Sequence, residues 1–402
     1  MKKLKNLKTK DVYYLNKANK IIYADNAATT KLDNDAFEAM KPFMLECYAN
    51  PSQPYSFSRK AVRAIKEARK IIAECINAEP AEIIFTSGGT ESDNWAIKNF
   101  TNPDAVRHII TSSIEHHAIL NSCKNAGKSS EVKLISVDRN GVVLADELER
   151  NLKESMNQIA VSSLANHTMV SIMLANNEIG TIQPIKELAE IAHSYDAMFH
   201  TDAVQAIGHI PVDVKELGID MLSASAHKFN GPKGIGFLYC NNTLDILPFH
   251  NGGSQENGMR AGTENVPAIV GMAVALKKNV DEMNQHTAHL NNLSNLFLNE
   301  LNNANIDFIF NGHKDNRLPG NINISIKDKS GEGLLHILDL KGIYISTGSA
   351  CDSVNQQVSH VIKAIDVPND YAQGTIRITF GKDNTEQDAI DVAHAIIKAT
   401  NI

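Results

Sequence analysis

Short runs of β-branched and other apolar residues alternate along this chain with longer stretches whose apolar positions recur every three or four residues. The runs Ile83–Phe85, His108–Thr111, Val132–Val137, Val170–Leu174, Met198–Thr201 and Gly236–Tyr239 read as strands. Between them, Ser58–Ile76, Glu91–Phe100, Ile185–Ser194 and Val214–Gly218 read as helices. Parallel strands need a crossover, usually helical, so this alternation predicts an α/β domain on a mostly parallel sheet. The rhythm breaks after Val266. From Met272 to Phe310 there is neither Gly nor Pro, and the stretch is rich in Leu, Asn, Met and His, which predicts one long helix leading out of the sheet domain. Beyond it, Asn321–Ile326, Ile343–Ser346 and Thr375–Thr379 read as strands and a final helix starts at Thr385, together a smaller α+β domain. No fixed-period repeat or low-complexity linker interrupts the chain.

Composition narrows the classes further. Of 402 residues, 43% are hydrophobic and 21% charged, which excludes a disordered or fibrous protein. Thirty-nine Lys plus Arg against 46 Asp plus Glu give a net charge of −7, so no broad basic face is offered and no direct nucleic-acid partner is expected. No run approaches the roughly 20 apolar residues of a bilayer span, so no membrane segment is expected. The five lysines of residues 1–10 are not followed by an apolar stretch, and the segment reads as a solvated arm rather than a secretory signal. Cys47, Cys75, Cys123, Cys240 and Cys351 are widely spaced, with no CxxC pair. That pattern argues against a disulfide framework or zinc knuckle and points to the reducing cytoplasm.

The most informative segment is Ser223-Ala-Ser-Ala-His227-Lys228-Phe-Asn-Gly231-Pro-Lys-Gly234. A lysine between a small-residue strand and a glycine-rich turn can be partly desolvated, which lowers its pKa and makes it an amine nucleophile for a Schiff base. A pyridoxal phosphate (PLP) site also needs an anion beside the pyridinium nitrogen, and Asp202, at the end of the strand running through Met198, stands where α/β proteins present functional groups. The phosphate needs backbone amides and hydroxyls. Ile83-Ile-Phe-Thr-Ser87-Gly-Gly-Thr90-Glu-Ser-Asp93 offers a strand, a glycine turn and a helix N-terminus, with Thr90 and Asp93 at capping-box spacing. It is not a nucleotide P-loop, since no Gly-Lys-Ser/Thr follows. Glu115-His116-His117 lies after another strand and can put an imidazole over a flat ring. Taken singly, each has a plainer reading: an exposed lysine, an Asp capping a helix, a glycine turn, paired histidines without a third metal ligand. No metal is expected.

In order along the chain, these pieces resemble the NifS/IscS-type cysteine desulfurases, PLP enzymes of the class-V aminotransferase family with the aspartate aminotransferase fold. The specific marks are Tyr23-Ala-Asp-Asn-Ala-Ala-Thr-Thr30, Asn50-Pro-Ser52, Thr86 to Asn94, Glu115-His116, Asn176 to Gly180, Asp202-Ala-Val-Gln205, Ser225-Ala-His-Lys228, Arg260 to Asn265, Ser346-Thr-Gly-Ser-Ala-Cys351 and Arg377. The resemblance implies a mostly parallel seven-stranded sheet in a large PLP-binding domain, residues 36–283. An N-terminal arm, 1–35, would join a small C-terminal domain, 284–402, that carries the catalytic cysteine loop. It implies that Lys228 carries the cofactor, that Asp202 pairs with the ring nitrogen, and that His116 stacks on the ring and moves protons. Gln205 would bond the ring hydroxyl, while Thr90, Ser225, His227 and the Gly89 amide would hold the phosphate. Thr263 would reach in from the second subunit of a homodimer. Asn177 and Arg377 would orient the substrate carboxylate, Arg because its planar fork matches a carboxylate.

Cys351 sets this family apart from ordinary aminotransferases. The small residues before it, and a helix expected to resume near Ser359, leave a loop long enough for a thiolate to reach the substrate. The implied reaction takes sulfur from L-cysteine, releases L-alanine and leaves a persulfide on Cys351 for a sulfur-acceptor protein such as an iron–sulfur scaffold or a tRNA-thiolation carrier. A selenocysteine lyase or a PLP-dependent aminotransferase on the same fold is the alternative, and a transaminase has no use for a loop thiol. The chain departs from the family pattern at Gln53, Tyr55 and Ser58, and again at Asp352 and Asn355 to Val358. A carboxylate beside the thiol disfavours the thiolate.

Overall fold

The computed structural model describes residues 20–100, 107–126, 130–158, 168–347 and 358–401. Its strands are β1 (Ile22–Tyr23), β2 (Ile83–Thr86), β3 (Arg107–Ser112), β4 (Ser130–Ile135), β5 (Thr168–Ser171), β6 (Met198–Asp202), β7 (Met221–Ser225), β8 (Gly236–Cys240), β9 (Phe308–Phe310), β10 (Asn321–Ile326), β11 (Ile343–Tyr344) and β12 (Thr375–Thr379). Seven of them form one sheet in the order β2-β8-β7-β6-β5-β3-β4. The pairings from β7 to β4 are all parallel, and β8 runs antiparallel to both of its neighbours. The chain thus has the expected α/β fold with a mostly parallel seven-stranded sheet.

Both faces of that sheet are buried, which is why its strands read as apolar runs rather than alternating ones. Successive residues point to opposite faces. Phe85, Ile110, Val170, Leu222 and Phe237 enter one core, with Ile65 and Ile72 of the helix Arg59–Cys75 and Ile269 and Met272 of the helix Val266–Asp281. Their neighbours Ile84, Ile109, Met169, Met221 and Leu238 enter the other, under Trp95 and Ile119 from the helices Gly89–Phe100 and His117–Lys124. A further core gathers Leu293 and Phe297 of the helix Met283–Asn303, Ile322 and Ile324 of β10, Ile376 and Ile378 of β12, and Val392 and Ile396 of the C-terminal helix Glu386–Thr400. Ile22 and Ala24 belong to this core, and β1 pairs in parallel with β11.

The expected single helix from Met272 to Phe310 is instead two helices and a strand. Val266–Asp281 and Met283–Asn303 meet at Glu282, and Asn305 then turns left-handed (φ 53°) before β9 pairs antiparallel with β10. Asn is the residue that most readily replaces glycine in that conformation, so the helix ends without the glycine or proline that would have marked the stop. The strands expected at Val132–Val137 and Val170–Leu174 end earlier, at Ile135 and Ser171. Residues 172–175 are as buried as the strand, Ile172, Leu174 and Ala175 entering the first core, so hydrophobicity does not mark the strand's end. Among the described residues no helix is long and apolar enough to cross a membrane.

Candidate active site

The ends of β6 and β7 and the N-termini of the helices Gly89–Phe100 and His117–Lys124 converge on a cavity of about 250 Å³. Lys228 enters it from the single 3-10 turn Ala226–Lys228 that follows β7. The turn is tight because the Gly231 amide donates to Ala226 O at 2.8 Å, and a Cβ at Gly231 would lie 2.8 Å from that same oxygen. Lys228 Nζ donates to Ala27 O at 2.6 Å and Ala28 O at 3.0 Å. The segment around those alanines also accepts a bond from Gln205 Nε2 to Ala27 O at 2.9 Å and sets Thr29 Oγ1 3.1 Å from His227 Nδ1.

Asp202 closes β6, buried, with its Oδ1 accepting from the Val204 amide at 2.9 Å. Burial raises its pKa, against the opposing charges of His116 and Lys228. Beneath it His200 is held neutral, its pKa pushed down to about 3 by burial, and its ring nitrogens pair with Ser171 Oγ at 2.9 Å and Ser223 Oγ at 3.0 Å. His116 caps its helix: Nδ1 accepts from the Ala118 amide at 3.1 Å, which leaves the ring proton on Nε2. Burial, with the charges of Lys228 and His117 adding to it, lowers the His116 pKa against the pull of Asp202.

The anion cradle is the turn Ser87–Thr90. Gly88 takes φ 146°, and a Cβ on Gly89 would lie 2.5 Å from Val204 Cγ2, so the backbone approaches the cavity in a way only glycine permits. Gly89, Thr90, Ser225 and His227 all line the cavity. Asn177 and Arg377 line it as well. Every candidate residue among the described ones shares this cavity except Thr263, which lies with Ser87, Glu256 and Arg260 in a separate cavity of about 180 Å³. Cys351 and Asp352 lie outside the described residues. On either side of that segment, Ser346 exchanges both backbone hydrogen bonds with Arg377 (2.7 and 3.0 Å), and Ser359 caps the helix His360–Ala364 where one was expected. Burial pushes the Cys75 thiol up to about 11 and those of Cys123 and Cys240 to about 12, which disfavours the thiolate at all three.

Two residues of the site escape a reading by sequence alone. The capping box expected for Thr90 and Asp93 does not form: the helix begins at Gly89, and Asp93 is buried against the cavity, its Oδ1 3.8 Å from His200 Nε2 and without a hydrogen bond among the described residues. Its pKa is raised well above the usual carboxylate range by burial and by Asp202. Asp93, His116 and Asp202 bring donor atoms within 4.8 Å of one another. Glu115 is the second, buried between Ser112 Oγ (2.6 Å) and the Met173 amide (2.9 Å), with its pKa raised to about 8.

Comparisons with known proteins show the family. The family model for aminotransferase class-V matches residues 22–392. The chain is 48% identical over 383 residues to a cysteine desulfurase IscS of Dictyoglomus turgidum, covering 94% of each chain. It is 46% identical over 381 residues to a cysteine desulfurase IscS of Methanosarcina thermophila, covering 94% of this chain and 91% of the other. Among solved structures, a NifS-like protein superposes with a TM-score of 0.86 at 36% identity over 95% of this chain and 100% of that one. With Lys228, Asp202, His116 and Arg377 around one cavity, the chain belongs to the class-V aminotransferase family, among its cysteine desulfurases of the IscS and NifS type.

Proposed function

We propose that this enzyme holds pyridoxal phosphate through Lys228 and takes the sulfur of L-cysteine onto Cys351, releasing L-alanine. The observation that carries the reading is the single cavity in which an amine, a buried carboxylate, an imidazole and a helix N-terminus meet. The residues fit the cofactor. Asp202 and Asp93 are buried acids in want of a cation, which a protonated ring nitrogen supplies, and the close approach at Gly89 leaves amides for a phosphate. When bound, the cofactor supplies an electron sink for the carbanion at the substrate Cα.

The rest falls to the chain's own side chains. Lys228 provides the amine that carries the cofactor and yields its place to the substrate amine. His116, with Nδ1 occupied by the Ala118 amide, carries protons on Nε2. Asn177 and Arg377 orient the substrate carboxylate. The Cys351 thiolate attacks the substrate sulfur, the carbon–sulfur bond breaks with its electron pair remaining on carbon, and that carbon takes a proton on the way to alanine. The sulfur stays on Cys351 as a persulfide for an acceptor protein of the iron–sulfur scaffold or tRNA-thiolation carrier kind. The enzyme works as a homodimer in the reducing cytoplasm, Thr263 completing the phosphate site of the partner subunit. Supporting the dimer, Thr263 stands apart from its own chain's site, and Met44, Leu45, Tyr48, Tyr55 and Phe57 expose apolar surface in one stretch of chain.

The test is Lys228→Ala. The purified variant should lose both the visible absorbance shift on adding cysteine and the release of alanine from cysteine alone, with no 2-oxo acid present. Alanine release at the wild-type rate would sink the assignment.

A further inference from the structure

The segment Tyr23-Ala-Asp-Asn-Ala-Ala-Thr-Thr30 stands out in the sequence, yet the chemistry above uses it only through the Ala27 and Ala28 carbonyls. Its Asp25 lies against Arg377: Nη2 donates to Asp25 Oδ1 at 2.7 Å, while Nη1 donates to Asn177 O at 3.0 Å. The Arg377 side chain is 3% exposed and that of Asp25 18%. Nε has no partner among the described residues. Two of the five N–H groups of the guanidinium are thus committed, one to each terminal nitrogen, and the others remain for a carboxylate.

Asp25 is itself held rigidly to the strand that carries Arg377. The Asn26 amide donates to Thr379 O at 3.1 Å, the Thr379 amide donates to Ala24 O at 2.8 Å, and Tyr23 Oη donates to Asp25 O at 3.0 Å. Arg377 and Thr379 are two residues apart on β12 and so share a face. An arginine side chain has many rotamers, and holding it in one before the ligand arrives removes an ordering cost from binding.

We propose that Asp25 is a positioning residue that fixes the Arg377 fork for the substrate carboxylate. The proposal rests on the reading that Arg377 receives that carboxylate. Without the Asp25 carboxylate the guanidinium retains one protein acceptor among the described residues, the Asn177 carbonyl, and turns about it. The effect falls on ligands that own a carboxylate and spares those that do not.

The experiment titrates the visible absorbance of the holoenzyme with L-cysteine and with cysteamine, which has the same amine and thiol but no carboxylate, alongside KM and kcat for cysteine. Arg377→Ala should weaken cysteine and leave cysteamine unchanged. Asp25→Ala should do the same, by about tenfold for cysteine, as expected for one immobilised side chain set loose. Its kcat should stay within about threefold, and Asp25→Asn, which keeps an oxygen acceptor of the same reach, should recover most of the loss. Should Asp25→Ala fail to fold, Asp25→Ser, whose hydroxyl is too short to reach Nη2, carries the same expectation. Equal weakening of both ligands would mean that Asp25 merely holds the fold together, and tighter cysteine binding would mean that it competes with substrate; either overturns the proposal. If Arg377→Ala fails to separate the two ligands, the carboxylate reading itself falls, a result distinct from a failure confined to Asp25.

Discussion

Glu115 is a buried carboxyl whose proton is a stability switch. Its Oε1 accepts from Ser112 Oγ and the Met173 amide, while Oε2 is buried without a partner among the described residues. Burial raises its pKa from the ordinary 4.5 to about 8. Between those values the folded protein keeps a proton that the unfolded chain has released, so the unfolded state binds fewer protons and stability falls as pH rises. The slope is about 1.4 kcal/mol per pH unit, so by pH 7 the cost is on the order of 3 kcal/mol relative to a group that never ionises. Glu115→Gln is such a group. Its amide oxygen keeps both bonds, and its NH₂ at the position of Oε2 costs about 1–3 kcal/mol if left without an acceptor. The variant should therefore be equal to or less stable than the wild type at pH 5, and should gain on it steadily up to pH 8, beyond which the difference levels off. Urea unfolding at pH 5, 6, 7 and 8 measures this directly, and using the difference between the two proteins cancels every other titrating group. Stability curves that run parallel across that range would refute the reasoning.

Two further outcomes follow from the proposed chemistry. Cys351→Ser should bind pyridoxal phosphate and shift its absorbance with cysteine as the wild type does, since the cavity residues are untouched, yet release no sulfide; a retained activity with the persulfide mass on Cys47 or another cysteine would rule out the assignment. Sedimentation at assay concentrations should find a dimer, and mixing Thr263→Ala with Lys228→Ala chains should restore part of the activity that each homodimer lacks, whereas a fully active monomer would contradict the shared site.

How far the sequence is legible depends on what each residue answers to. Lys228, Asp202 and the Gly88-Gly89 turn are readable because each sits where a strand stops, and strand ends betray themselves through small residues, glycines and a change of period. The mostly parallel sheet is readable from the alternation of strands and helices, while its seven strands are what the family resemblance implies. Asp93 was misread because a carboxylate three residues after a threonine looks like a helix cap whether it turns back to the backbone or into a cavity; only the packing of β6 against that helix decides. The strand Phe308–Phe310 escapes because Asn305 performs the turn that a glycine would have announced, and the break at Glu282 escapes because no glycine or proline stands there. Arg377 has a motif position but its partner Asp25 does not follow from spacing, since their meeting depends on the parallel bridge between Asp25 and Thr379.

That meeting joins residues 352 apart in the chain. During synthesis the segment from Ile22 to Thr30 leaves the ribosome early, but its partners in β11 and β12 are made more than three hundred residues later. Until then Ile22 and Ala24 have no core to enter and Asp25 has no guanidinium to hold. The large sheet, complete by Cys240, precedes in the chain both strands that anchor the segment facing Lys228 and its contact with the Arg377 fork. A half-made chain therefore lacks the Asp25–Arg377 contact altogether, and that corner of the cavity closes only once β12 has been made.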